Sequence, residues 1–318
     1  MARTEFSKCI IATINFKGGT GKTTVAIALA EGLCRLLRKR VLIMDCDFQC
    51  SASIALLGRN ALNHLIAMNA TLDCQLERQI DGVGGLQLSD AVVDARLCVK
   101  EASQLMFLLP GNPDMPRRER QILTSFLPGR DIHSAYQRAS TKIAELYRSL
   151  LAEYDLIFVD CPPGLTLFSE AALKAADGLI IPTLPNEISF AALDHLRNEI
   201  ARTRSGRTLE DMLVGTVISK LSERGGGAHH SSQSASIERL LDRVAPGFRI
   251  LKPYLPYCRE LEAMTWRADK GGVDFAHRYG QSAALIEQLT EALADRCRTF
   301  FAACHPKAKG RSPQVSNA

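Results

Sequence analysis

A glycine-rich segment at residues 17–24, Lys-Gly-Gly-Thr-Gly-Lys-Thr-Thr, limits the possible folds of this chain more than any other feature. The apolar run Cys9–Ile14 before it is typical of a buried strand, and Val25–Leu33 after it has the pattern of a helix. Glycines in such a turn let successive backbone N–H groups point at one anion, and the helix N-terminus adds partial positive charge. The order of strand, glycine-rich loop and helix therefore predicts a phosphate-binding P-loop, in which Lys22 reaches the phosphates and the Thr23 hydroxyl ligates Mg²⁺.

Apolar runs and helical patterns continue to alternate along the chain, which predicts an α/β fold. We expect a mostly parallel, twisted sheet with helices on both faces. Further strands are predicted at Val41–Asp45, Leu105–Leu109, Asp155–Asp160, Gly178–Pro182, Leu213–Ile218 and Phe248–Leu251. Helices are predicted at 134–151, Ser169–Ala176, 189–204, Ile237–Val244 and 282–303.

The domain organisation is expected to be one P-loop domain over residues 1–304. Residues 60–100 have weak periodicity, and 60–130 form the least certain part, an insertion region. The composition of 225–236, rich in glycine and serine, predicts a flexible loop. Residues 305–318 are expected to be a disordered basic tail.

The bulk composition is that of an ordinary soluble protein, with 318 residues, 46% hydrophobic and 23% charged. No apolar run approaches the ~18 residues that a membrane span needs, and the first residues do not resemble a signal peptide. The ten cysteines are scattered without a CxxC pair, which favours a reducing cytosol. A net charge of +5 permits binding to nucleic acid without requiring it.

Acidic residues end two of the predicted strands, where ligands of parallel sheets bind. Asp45 and Asp47 follow the strand at 41–45, and Asp160 ends the strand at 155–160. A carboxylate at the position of Asp160 can hold Mg²⁺ directly or through water. The sequence therefore predicts one site at this edge, with Thr23 and Asp160 at the metal.

The glycine-rich loop departs from the usual P-loop, because Phe16 stands where a glycine is expected and Lys17 precedes the glycines. This deviant Walker A form resembles that of the ParA/MinD superfamily of P-loop ATPases, whose fold is a SIMIBI-type P-loop NTPase. The resemblance implies that Lys17 crosses a dimer interface to the nucleotide of the partner subunit, and that the two phosphate loops approach each other at Gly18. It also implies ATP as the bound nucleotide, held by Lys17, Gly18, Gly19, Thr20, Gly21, Lys22, Thr23 and Thr24.

Three later segments are similar to motifs of the same superfamily. Asp45-Cys46-Asp47-Phe48-Gln49 resembles its Asp-x-Asp-Pro-Gln segment, with Phe48 in place of proline. This implies that Asp47 positions or activates the attacking water and that Asp45 supports the metal shell. Cys161-Pro162-Pro163-Gly164 resembles switch II, and the segment 250–256 resembles a late motif near the base, which implies base contacts from Pro253 and Pro256. Lys17, Lys22 and Asp47 are the implied catalytic residues.

The ParA branch is favoured by Gln49 and by the basic residues between 197 and 270, which exceed the acidic ones by four. Arg239 and Arg243 are spaced i, i+4 on one predicted helix, and Arg224 flanks the glycine-rich loop, so these three are candidates for nonspecific DNA binding. The resemblance implies a homodimer bridged by ATP and a ParB-like or cargo-adaptor partner that stimulates hydrolysis. It also implies a cytoplasmic protein that associates with the nucleoid when ATP is bound.

Two other functions stay open from the sequence. A MinD-like ATPase would bind a membrane surface through its C-terminal helix, but packing against the sheet explains Phe300 and Phe301 as well. A metabolic P-loop enzyme would act on a small molecule. Only eight residues precede Cys9, so no helix-turn-helix domain is expected before the P-loop. The preference for ATP over GTP is implied by resemblance alone, because Ser219-Lys220 stands where the superfamily often has asparagine.

Overall fold

In a computed structural model, the chain forms a single eight-stranded sheet flanked by helices. The structure describes residues 8–82, 87–129, 131–203, 207–220, 227–244, 246–257, 260–261 and 272–304. The strands are β1 (Cys9–Thr13), β2 (Val41–Asp45), β3 (Val93–Asp94), β4 (Met106–Leu109), β5 (Leu156–Asp160), β6 (Gly178–Thr183), β7 (Leu213–Ile218) and β8 (Ile250–Leu251). Their order across the sheet is β3-β4-β2-β5-β1-β6-β7-β8.

The helices connect strands that are parallel throughout the sheet except at one edge, where β3 runs antiparallel to β4. They are α1 (Lys22–Leu37), α2 (Ser51–Leu57), α3 (Arg59–Ala67), α4 (Leu72–Ile80), α5 (Met115–Phe126), α6 (Ile132–Ser149), α7 (Leu167–Ala175), α8 (Glu187–Thr203), α9 (Leu209–Met212), α10 (Gly227–Val244), α11 (Phe275–Tyr279) and α12 (Ala283–Cys304). This arrangement confirms the α/β fold predicted from the sequence.

The central strands are apolar along their whole length because both of their faces are covered. In β1, Ile10 and Ala12 join one apolar cluster while Cys9 and Ile11 join the other. All five residues of β1, β2 and β5 are buried. The register pairs Thr13 of β1 with Asp160 of β5, and Asp160 in turn with Asp45 of β2. This register brings the ends of three strands together at one edge of the sheet.

The predicted strands and helices are present near their predicted bounds, and the structure adds elements that the sequence did not place, namely α2 to α5, α9, α11 and β3. The strand at 106–109 is the fourth rather than the third, because the short strand β3 lies in the region that sequence patterns could not place. The flexible loop predicted at 225–236 is wrong over 227–236, which is the first half of α10; 225–226 lie outside the described residues. Ile237 and Leu241 are buried in the apolar cluster, and with no proline before them the helix continues backwards through weaker helix formers.

A buried ion pair joins α1 to the C-terminal part of the chain. Glu31 of α1 is fully buried and accepts hydrogen bonds from the Tyr279 hydroxyl and from the Val99 backbone N–H. The guanidinium of Arg278 lies 3.1 Å from the same carboxylate. Burial raises the pKa of Glu31, and Arg278 and Tyr279 oppose that shift. Removal of either partner would leave an unpaired buried charge or hydroxyl.

The predicted basic tail at 305–318 lies outside the described residues. Within the part of the chain that the structure describes, none of the helices has the length and apolar character to cross a membrane.

Candidate functional site

The glycine-rich loop connects β1 to α1 and is held in place by Asn15. The side-chain amide of Asn15 donates to the Pro182 carbonyl oxygen of β6 at 2.8 Å, and its oxygen accepts the Lys17 backbone N–H at 2.9 Å. Gly19 and Gly21 have φ angles of 73° and 82°, in the left-handed region that glycine adopts without strain. These backbone angles let the loop curve around the N-terminus of α1, which begins at Lys22.

The side chain of Lys22 is buried inside the loop that it follows. Its ammonium donates to the Lys17 carbonyl oxygen at 3.3 Å. Burial lowers the pKa of Lys22, while the nearby carboxylates of Asp160 and Asp47 raise it. An anion in the loop would stabilise the charged form of this lysine, as a phosphate-binding role requires.

The second lysine of the loop, Lys17, is directed differently. Its ammonium donates to the Ser189 hydroxyl at 2.9 Å, in the first turn of α8. Within a single chain, therefore, Lys17 contacts α8 while Lys22 occupies the centre of the loop. The proposed reach of Lys17 into a partner subunit stays a prediction.

Thr23 and Asp160 form the part of the site that fits Mg²⁺. The Thr23 hydroxyl donates to Asp160 Oδ2 at 2.7 Å. The other carboxylate oxygen, Asp160 Oδ1, is buried and makes no hydrogen bond to the described residues. A buried carboxylate oxygen without a partner is costly unless an ion or an ordered water satisfies it. Burial raises the pKa of Asp160 well above its usual value, and Asp45 adds to that shift. A cation at this point would offset the cost of burying the Asp160 carboxylate. These residues therefore fit the metal.

Among the described residues, no group of three His, Cys, Asp or Glu side chains is arranged to hold a metal ion.

Asp45 ends β2 and Asp47 follows it, and their side chains have different surroundings. Asp45 Oδ2 accepts from the Ser53 backbone N–H at 2.8 Å and from the Ser53 hydroxyl at 2.6 Å, and Oδ1 accepts from the Asp47 backbone N–H at 3.2 Å. Burial raises the pKa of Asp45 to about 6. These bonds fix the β2–α2 turn, so Asp45 shapes the backbone that presents Asp47. A place for Asp45 in the metal shell stays a prediction.

A cleft of about 400 Å³ lies beside the loop. Predicted residues that line it are Gly18, Gly19, Gly21, Lys22, Thr23, Thr24, Asp47 and Pro256. Lys17, Thr20, Asp45, Asp160 and Pro253 are not among the lining residues. The cleft is also lined by Ser51 and Tyr257, which the sequence did not assign to it, and by Ser219, Lys220, Leu255 and Leu261, which the resemblance placed near the base. Ser219 and Lys220 directly follow β7, and a position after a buried strand is a signal that sequence reasoning can use.

Large apolar side chains are exposed around this edge of the sheet. Phe48 follows β2, Leu165 follows β5, Ile188 opens α8 after β6, and Tyr257 follows β8. Their exposed fractions range from 36 to 75%. Exposed apolar groups that cluster around a site are typical of an interaction surface.

The candidate DNA-binding arginines are only partly described. Arg239 is exposed on α10, and Arg243 lies 3.3 Å from Glu187 of α8 in a surface ion pair. Arg224 lies outside the described residues. Other basic residues counted in this region are also paired with acids, namely Arg197, Arg202 and Lys252.

The last helix packs against the body of the chain. Phe300 is buried in one of the two apolar clusters, and the Arg296 guanidinium lies 5.3 Å from the centre of its ring. Packing thus explains Phe300, as the sequence suggested; the side chain of Phe301 is outside the described part.

The fold and the cleft together define a P-loop nucleotide-binding protein. A model of the family described as AAA domain matches residues 8–212. Among curated relatives, the chromosome partitioning protein ParA of Myxococcus xanthus is 27% identical over 220 residues, which cover 69% of this chain and 68% of that protein. The chromosome-partitioning ATPase Soj of Thermus thermophilus is 29% identical over 210 residues, covering 65% of this chain and 68% of Soj.

Solved structures show the same fold. McdA from Cyanothece superposes with a TM-score of 0.63 at 20% identity, over 91% of this chain and 98% of McdA. The cell division ATPase MinD of Pyrococcus furiosus gives a TM-score of 0.58 at 20% identity, over 91% of this chain and 99% of MinD. The chain belongs to the AAA domain family and, by these relatives, to the ParA/MinD superfamily of P-loop ATPases. Alignments to curated relatives span between 42 and 74% of their lengths.

Proposed function

We propose that this protein is a ParA-like ATPase that dimerises on ATP, binds DNA without sequence preference and positions a cargo. The observation that carries the proposal is that the two lysines of one loop have different surroundings. Lys22 is buried at the loop centre, while the half-buried Lys17 leaves the loop and donates to Ser189 in the first turn of α8, next to the exposed Ile188. A loop that served only its own nucleotide would not need the second lysine.

Hydrolysis of ATP would use the residues around the cleft. Lys22 and the loop N–H groups would bind the phosphates, and Thr23 with Asp160 would hold Mg²⁺. When bound, Mg²⁺ neutralises charge on the phosphate oxygens. Asp47 lines the cleft and would orient the attacking water, while Asp45 holds the backbone of Asp47 in place. Positioning and electrostatic stabilisation of this kind provide most of the rate enhancement in phosphoryl transfer. The segment around Pro256 would contact the base, and Pro253 would support that segment.

Dimerisation is supported by the surroundings of Gly18. A Cβ atom at Gly18 would have no described neighbour within 4 Å, and its φ angle lies outside the left-handed region. Within the described chain, therefore, neither space nor backbone angle requires glycine there. If the loop of a second copy approaches this point, the space between the two loops would require glycine at position 18. The ring of Phe48, Leu165, Ile188 and Tyr257 gives such a copy apolar surface to bury.

The proposal also includes nonspecific DNA binding through α10. Arg239 and Arg243 of α10, with Arg224 nearby in sequence, would contact phosphates, and pairing two copies would double the number of contacts. The relatives named as partition proteins support this choice over a membrane surface. A partner protein, ParB-like or a cargo adaptor, would stimulate hydrolysis and so release the dimer from the nucleoid in the cytoplasm.

The first test measures oligomeric state and DNA binding together. Light scattering after size exclusion, and binding to random-sequence duplex DNA, would be measured with ATP, with ADP and without nucleotide across a salt series. We expect a dimer and DNA binding only with ATP, with affinity falling steeply as salt rises. Arg239→Glu should weaken DNA binding and leave the dimer intact, whereas Arg138→Glu, an exposed arginine of α6, serves as the charge-matched control. A dimer without DNA binding would contradict the DNA role, and liposomes would then be tested.

A further inference from the structure

The first residue after β7, Ser219, makes a contact that the resemblance does not account for. Its backbone N–H donates to the Thr183 carbonyl oxygen at 2.9 Å, which continues the pairing of β6 with β7. Its hydroxyl donates to the Thr20 carbonyl oxygen at 2.7 Å, and the Thr183 carbonyl oxygen lies 3.3 Å from the same hydroxyl. A hydroxyl has one proton to donate, so the shorter bond to Thr20 is the principal one. Ser219 is buried, and it lines the cleft.

The carbonyl of Thr20 belongs to the peptide unit that it shares with Gly21. In a planar trans peptide the C=O and N–H bonds point in opposite directions. A bond that holds the Thr20 carbonyl toward β7 therefore directs the Gly21 N–H the other way, into the loop where a phosphate would lie. Gly21 is at φ 82°, and glycine tolerates φ angles of either sign, so Gly21 itself does not prevent this peptide from turning over.

The carbonyl group of Lys17 is also held by hydrogen bonds, but its donors belong to the loop itself. The Lys17 carbonyl oxygen accepts from the Lys22 ammonium at 3.3 Å and from the Thr20 hydroxyl at 3.4 Å. The Thr20 carbonyl is different, because its hydroxyl donor is Ser219, 199 residues further along the chain. Ser219 follows β7, which lies two strands from β1 in the sheet. A donor on a paired strand is rigid, which suits it to preorganise an anion site.

We propose that Ser219 is the positioning residue of the phosphate loop, which keeps the Thr20–Gly21 peptide turned with its N–H toward the nucleotide phosphates. The inference rests on the proposed nucleotide-binding function and adds to it a role for this position other than reading the base. If Ser219 read the base, its substitution would change the preference between ATP and GTP. If it positions the loop, both nucleotides lose affinity equally, because they share the same phosphates.

The experiment compares Ser219→Ala and Ser219→Thr with wild type by calorimetric titration of ATP and GTP in the presence of Mg²⁺. The loss of one preorganised N–H contact to a charged group is expected to weaken both nucleotides by about ten-fold. The ratio of the two dissociation constants should stay as in wild type. Threonine retains the hydroxyl and should restore most of the affinity.

A thermal melt without nucleotide separates loop geometry from general damage to the fold. Equal weakening of ATP and GTP in a folded Ser219→Ala protein, restored by threonine, supports the proposal. A changed ATP-to-GTP ratio, or affinity equal to wild type, overturns it. The proposed function fails separately, if wild type and Lys22→Ala bind ATP equally or if wild type does not bind ATP.

Discussion

Replacing Gly18 by valine would separate nucleotide binding from dimerisation. In the single chain the substitution is expected to cost little, because a Cβ at this position meets no described atom within 4 Å and the backbone is not left-handed. The free energy of unfolding should therefore change by less than about 0.5 kcal/mol. Affinity for ATP should stay within about three-fold of wild type, since in the proposed site the phosphates would be held by backbone N–H groups and by Lys22.

The dimer should respond quite differently. Two valine side chains would meet where the loops of the two copies approach, and overpacking costs about 1–3 kcal/mol for each side chain. The two copies together would then weaken dimerisation by roughly 30-fold or more. Light scattering with ATP, at a protein concentration where wild type is dimeric, measures this directly. Gly19→Ala is the comparison, because Gly19 has φ 73° and alanine there costs about 1–2 kcal/mol of stability without adding bulk like that of valine.

The reasoning would be refuted by a Gly18→Val protein that binds ATP and forms the dimer as wild type does. In that case the two loops do not approach at Gly18. A variant that lost ATP binding would show instead that position 18 serves the nucleotide of its own chain.

The remaining predictions concern the nucleotide site and the buried ion pair. Lys22→Ala should abolish ATP binding in a titration; unchanged affinity and turnover would contradict the P-loop role of this lysine. Asp47→Ala should bind ATP and trap the dimer, with phosphate release at least about 100-fold slower, and normal turnover would place the water-orienting group elsewhere. Arg278→Ala should lower the unfolding free energy in urea by about 3–5 kcal/mol, because it leaves the buried carboxylate of Glu31 unpaired. Since the folded-state pKa of Glu31 is raised, this loss should grow as pH rises through that pKa; a pH-independent loss would argue against the ion pair.

The P-loop and the strands around it could be read from the sequence because their signals are local. A buried parallel strand must be apolar on both faces, and a phosphate loop needs glycine between a strand and a helix. For that reason β1, β2, β5 and β7 were located to within a residue or two. The region 60–100 was not placed, because its helices are short and β3 is a two-residue strand defined by its pairing with β4. Pairing is a long-range property that local periodicity does not contain.

The chemistry of the site likewise depends partly on local signals and partly on long-range contacts. Lys22, Thr23 and Asp160 were identified from residue type and spacing alone, but only the register of β1, β5 and β2 brings Asp160 next to Thr23 and Asp45. The resemblance assigned Asp47 to the attacking water and Asp45 to the metal shell, and only the structure shows that the buried Asp45, through two bonds from Ser53, also supports the turn. The sequence specified which groups are available, because side-chain chemistry is carried by each residue. The tertiary structure alone decided which groups meet, because contacts such as that of Ser219 with Thr20 form between segments that only folding brings together.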